Sequence, residues 1–210
     1  MTRRQLLPLI ALVLLGAIVS FLLKDTQTFG QNVGESPSAI RILKDRRSPQ
    51  LVHGDGSLTV VMFSDYQCLA CRNADPALQR AVAHDGNVRV IYKDWPIFGE
   101  RSERAAQVAL AAHRQGTYPS LHHLLMKSHS FKDEALRAAV EGAGGNWEQV
   151  ESDLLLYEDE IKNQLAANGR DAFALGLQGT PGYLVGPLLI RGALTEREFA
   201  RAFQQAREER

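Results

Sequence analysis

Only two of the 210 residues are cysteine, and they stand three positions apart as Cys68-Leu69-Ala70-Cys71. Such a pair can ligate zinc, staple the chain, or cycle between dithiol and disulfide, and its setting discriminates among these. Zinc takes about four ligands, so the cysteines would have to recruit two of His113, His122, His123 and His129 from far along the chain. A structural bridge across so small a loop removes little entropy from the unfolded state. Redox exchange needs only the local sequence. LTVVMF, Leu58 to Phe63, reads as a buried strand just before the pair, and Ala74 to Ala83 as a helix just after it. At the first turn of a helix, free N–H groups and the helix dipole favour a thiolate. Cys68 is therefore the expected nucleophile, and Cys71, one turn further in, the expected resolving cysteine that releases a mixed-disulfide partner.

A second element is Gly179-Thr180-Pro181-Gly182, ahead of another apolar strand. Read plainly it is a turn. Cis bonds are confined in practice to proline, and one beside the cysteines would expose backbone groups to an extended substrate segment. The four histidines between residues 113 and 129 are expected on solvated or packed helix surfaces, and His53 and His84 in loops.

The elements that must position these residues follow from periodicity. Asp85-Gly86-Asn87 ends the helix, and Val88 to Tyr92 is the next strand, completing a βαβ beginning. Helical spacing then runs from about 101 to 176, through Ala105, Val108, Ala109 and Ala112, Leu121, Leu124 and Leu125, and Leu136, Ala139 and Val140. Asn146 is the expected N-cap of one longer helix through Trp147, Val150, Leu154 and Ile161. Tyr183 to Val185 and Leu188 to Ile190 form a hairpin about Gly186-Pro187, and Thr195 with Glu198 caps a final helix. The order is β, α, β, helical insertion, β, β, α, an α/β fold.

Three stretches, Phe63-Ser64-Asp65-Tyr66-Gln67-Cys68-x-x-Cys71, Tyr92-Lys93-Asp94-Trp95-Pro96-Ile97-Phe98-Gly99 and Gly179-Thr180-Pro181, resemble the DsbA-like periplasmic thiol-disulfide oxidoreductases over roughly residues 40 to 205. The resemblance implies a thioredoxin-like domain at 51–210 with a helical subdomain inserted at about 101–176. It implies a cis Pro181 facing the cysteines, and Thr180 binding substrate through its backbone. It implies disulfide exchange with exported cysteine-containing proteins, recycling by a membrane redox partner, no metal, and no cofactor beyond a Cys68–Cys71 disulfide. Two departures bear on the chemistry. Leu69 and Ala70 replace the family's proline with histidine or tyrosine, and Met62 stands where many members carry a buried glutamate that moves the proton of the second thiol. Lys93 matches the lysine that accompanies that glutamate, so Lys93 with Asp65, or with a water, is the candidate for proton transfer.

The chain begins differently. Arg3 and Arg4 precede an uncharged run from Leu6 to Leu23, closed by Lys24 and Asp25. As a helix this run is roughly 27 Å long, close to the roughly 30 Å of a bilayer's hydrocarbon core. Residues 1–24 are expected as a signal anchor or signal peptide, the anchor being favoured because no A-x-A site follows. Residues 25–50, with the basic Arg41, Lys44, Arg46 and Arg47, are expected as a linker with at most one short turn of structure. Lysine plus arginine equals aspartate plus glutamate at 24 each, which excludes the global field of a nucleic-acid binder. The expected protein is an extracytoplasmic dithiol oxidant held at the inner membrane. The alternatives are a reductase or isomerase kept reduced by a membrane donor, and a tethered metal-binding module using the same cysteines.

Overall fold

The computed structural model describes residues 29–209. The expected membrane or signal segment, 1–24 with its apolar run 6–23, lies outside the described residues. Among the described residues no helix is long and apolar enough to cross a membrane.

The apolar, β-branched run after residue 57 forms β3 (Leu58–Ser64), which lies inside a six-stranded sheet. It pairs in parallel with β4 (Val88–Asp94), from Leu58 opposite Val88 to Ser64 opposite Asp94. A parallel pair needs a crossover, and α2 (Leu69–Asp85) supplies it, ending at Gly86 with φ of 76°. On its other side β3 pairs antiparallel with β5 (Gly182–Val185), which forms the expected hairpin with β6 (Leu188–Arg191). Short strands β1 (Gln31–Asn32) and β2 (Gln50–Val52) close the edges, giving the order β1-β6-β5-β3-β4-β2.

Strand alternation sends side chains into two cores. Val60, Met62, Val90, Tyr92, Tyr183 and Ile190 face α2, the C-terminal helix and most of the insertion, whereas Val61, Phe63, Ile91, Leu184 and Leu189 face Ala39, Ile42, Trp95 and Ala172. Five helices are inserted between β4 and β5: α3 (Glu100–His113), α4 (Tyr118–Lys127), α5 (Asp133–Gly142), α6 (Trp147–Leu156) and α7 (Glu158–Ala174). The C-terminal α8 (Glu196–Glu208) carries the expected capping box, Thr195 and Glu198 each satisfying the other's backbone N–H.

Two expectations are corrected. The single helix from Asn146 through Ile161 is two, α6 and α7, divided at Tyr157 with φ of −119° and ψ of 24°. The ring of Tyr157 lies 3.4 Å beneath the Arg114 guanidinium, an anchor that periodicity does not encode. The stretch 25–50 is not merely a linker, because β1 and α1 (Pro37–Leu43) lie within it. α1 buries only Ala39 and Ile42, too few for a sequence signal, and its neighbour Asp45 is tied to the sheet by an ion pair with Lys93.

Candidate active site

The chain leaves β3 at Ser64 and enters α2 at Leu69, so both cysteines stand at the C-terminal end of a buried strand and the N-terminal end of a helix. Asp65 shapes this turn. Its Oδ1 accepts from Gln67 N–H (2.7 Å) and the Ser102 hydroxyl (2.6 Å), and its Oδ2 from Ile97 N–H (2.7 Å) and Phe98 N–H (3.1 Å). Four donors on one buried carboxylate join the cysteine loop to the 95–99 loop and α3. The Gln67 amide adds a bond to the Phe98 carbonyl at 3.2 Å. Leu69, Ile97 and Phe98 meanwhile remain exposed, an apolar rim about the cysteine loop.

Cys68 is the N-cap of α2, its sulfur accepting from Cys71 N–H at 3.3 Å. The two cysteines are free thiols, both buried, with Cys68 4% exposed. The Cys68 thiol donates to the Thr180 carbonyl at 3.3 Å, and the Thr180–Pro181 bond is cis. The Cys68–Cys71 pair and the Thr180–Pro181 pair, 112 residues apart from Cys68 to Thr180, thus meet at one place.

The two sulfurs differ in acidity. A hydrogen bond from the Cys71 thiol, against the opposing effect of burial, and further donors from Thr180 and the Cys71 and Ala70 backbone bring the Cys68 thiol down to about 6. The Thr180 hydroxyl is buried with no other partner, so it is available to a thiolate. Cys71, which donates to Cys68 and is desolvated, is pushed far up. At neutral pH the pair is one thiolate and one thiol.

Lys93 does not pair with Asp65. Its ammonium is buried and bonds Asp45 and, at 3.0 Å, Asp171, on the face of the sheet covered by α1 and α7. All the acceptor capacity of Asp65 is directed to the loops described above. Burial pushes the Asp45 carboxyl up, but Lys93, the Arg47 backbone and Ser48 outweigh it and bring it down to about 2. Met62 is packed in the apolar core.

Several polar residues near the cysteines escape a sequence reading. Asp75, four residues beyond Cys71 on the buried face of α2, contacts His122 and His123 of α4. Tyr66 bonds Tyr118, which donates to both oxygens of Asp94 at 2.9 Å, and burial raises that carboxyl to about 6. The available signals were the i,i+4 spacing of Cys71 and Asp75 and an adjacent histidine pair in an apolar helix. Asp75, His122 and His123 are also the one group of metal-ligand type that gathers among the described residues, and neither cysteine belongs to it. The alternative zinc set, two cysteines with two of the histidines, does not assemble among the described residues.

An acidic N-cap cysteine, a buried partner one turn on and a facing cis-proline, on a sheet with this strand order, define a thiol–disulfide oxidoreductase of the thioredoxin-like fold. Residues 59–204 match the DSBA-like thioredoxin domain family, and the chain belongs to that family. A thioredoxin-like oxidoreductase from Silicibacter pomeroyi superposes with a TM-score of 0.75 at 33% identity, covering 82% of this chain and 98% of that one. A periplasmic thioredoxin-like protein from Salmonella enterica serovar Typhimurium gives 0.70 at 27%, covering 81% and 96%. Among curated proteins, 158 residues are 26% identical to Na(+)/H(+) antiporter NhaA 1 of Mycolicibacterium gilvum, 73% of this chain and 25% of that one. The chain thus spans about a quarter of the length of the first curated relatives it matches.

Proposed function

We propose that the protein is an extracytoplasmic dithiol oxidant acting on exported cysteine-containing proteins. The observation that carries this reading is the split acidity of the pair, with Cys68 brought down to about 6 and Cys71 pushed up. A stabilised Cys68 thiolate favours the reduced enzyme, which makes its disulfide a stronger oxidant. In the forward direction a substrate thiolate attacks Cys68 of the disulfide and expels Cys71, which takes up a proton. A second substrate thiolate then attacks the mixed disulfide and expels Cys68 as its stable thiolate. Two substrate thiols become one disulfide, and the enzyme disulfide becomes a dithiol. In the reverse direction Cys68 is the nucleophile and Cys71 resolves.

The Thr180 carbonyl beside Cys68 and the rim of Leu69, Ile97 and Phe98 suit an extended, partly apolar chain. The apolar run 6–23 and the likeness to a periplasmic Salmonella protein support an extracytoplasmic location at the inner membrane, with a membrane partner reoxidising the dithiol. We assign Asp65 and Lys93 positioning roles, the first in holding the cysteine loop and the second in holding α1 and α7 to the sheet. The test is the reduction potential against glutathione buffers, with adduct trapping by Cys71→Ser. A potential near the roughly −120 mV of DsbA, with adducts through Cys68, supports the oxidant. One near the roughly −270 mV of thioredoxin selects a reductase.

A further inference from the structure

A cluster between α2 and α4 carries ligand chemistry that thiol exchange does not use. Asp75, His122 and His123 each present one ligand atom, all within 4.8 Å of one another. The Asp75 Oδ1–His122 Nε2 separation is 3.4 Å and the Asp75 Oδ2–His123 Nδ1 separation 3.3 Å. A tetrahedral zinc ion with bonds of about 2.0–2.1 Å has ligand-to-ligand edges of roughly 3.3–3.4 Å.

The second observation is an orphaned atom. His122 is fully buried, yet its Nε2 has no hydrogen-bond partner. The other side of the ring fixes which nitrogen carries the proton. Tyr118 donates to Asp94 and Tyr66 donates to Tyr118, so the Tyr66 oxygen is left to accept, and its neighbour at 3.2 Å is His122 Nδ1. With the proton on Nδ1, Nε2 turns a lone pair towards the Asp75 carboxylate. Two acceptors face each other at a buried position, an arrangement that a cation between them resolves. An imidazole held through its other nitrogen is also how ligating histidines are oriented. The Gln79 amide bonds both Asp75 Oδ2 and His123 Nδ1, so it holds the place of a cation between them and swings aside when both atoms ligate an ion. A cavity of about 240 Å³ lined by Asp75, Gln79, His123, His53 and Tyr92 gives an entry path and a fourth position.

We propose that Asp75, His122 and His123 bind Zn²⁺, with the fourth position open to this cavity. Two imidazoles and one carboxylate suit zinc, whereas Mg²⁺ and Ca²⁺ take oxygen ligands. The ion fastens α2, four residues beyond Cys71, to α4 of the insertion.

The experiment uses the full chain carrying Cys68→Ser and Cys71→Ser, so that thiolates cannot contribute, in equilibrium dialysis against Zn²⁺. The expected result is one zinc per chain, with affinity at least tenfold weaker in His123→Ala and restored in His123→Asp. Loading with Co²⁺ gives the visible bands of a four-coordinate ion. His123 is partly exposed, so its replacement leaves the fold intact by circular dichroism, and this variant decides the matter if Asp75→Asn does not fold. Zinc lost with the cysteines, or unchanged in His123→Ala, overturns the proposal. So does failure of the double-serine chain to take up zinc at all.

Discussion

Varying pH tests the acidity of Cys68 against the energetics of the couple. With the thiol down to about 6, the thiolate outnumbers the thiol by about ten to one at pH 7, whereas an ordinary thiol near 9 is about one per cent ionised. The reduced form gains about 1.4 kcal/mol at pH 7 and roughly 2.7 kcal/mol at pH 8, or about 30 and 60 mV for two electrons. Because this acidity is depressed, the gain is complete only above pH 9, the ordinary value, and disappears as pH falls through 6. Below pH 6 reduction takes up two protons and the potential falls by about 59 mV per pH unit. Above it one proton is taken up and the slope halves to about 30 mV. The assay is equilibration with thiol buffers from pH 5 to 8, followed by alkylation that separates dithiol from disulfide. One straight line at the steeper slope through pH 8 would refute the reasoning, since it would mean that Cys68 stays protonated across the range.

Thr180→Ala removes a donor worth about 1 kcal/mol to the thiolate, so Cys68 becomes less acidic and alkylation at pH 6 slows roughly threefold, read by iodoacetamide kinetics. Lys93→Met leaves Asp45 and Asp171 without their buried cation, lowering stability in urea by about 3 kcal/mol while leaving the thiol exchange rate unchanged; slowed exchange at intact fold would instead mark Lys93 as a proton carrier. Asp45, depressed to about 2, contributes stability above pH 4 that is lost as pH falls through 2, so Asp45→Asn shows an acid-unfolding profile flatter by about 1–2 kcal/mol over that window. Phe98→Ser strips the rim and raises KM for an unfolded protein substrate several-fold, with the rate towards a small disulfide unchanged.

The strand-helix-strand unit about the cysteines was legible because β3 and β4 are continuous apolar runs separated by a helix and a glycine break, signals that act within ten residues. The capping box at Thr195 and the hairpin at Gly186 were legible for the same reason. What escaped depends on contacts between distant segments. Lys93 finds Asp45 and Asp171 across 48 and 78 residues, and nothing local distinguishes those carboxylates from Asp65. Residues 31–43 read as a linker because α1 buries only two side chains. Asp75 carries no sign in sequence that α4 will deliver two histidines to it.

The Asp65 carboxylate has a mechanical consequence. It bonds the cysteine loop, the 97–98 backbone and Ser102 of α3, while Arg72, one position past Cys71, bonds the Met126 carbonyl at the end of α4 at 3.0 Å. The insertion is therefore clasped at two points to the turn that bears the sulfurs. That turn cannot shift independently of α3 and α4 unless these hydrogen bonds break.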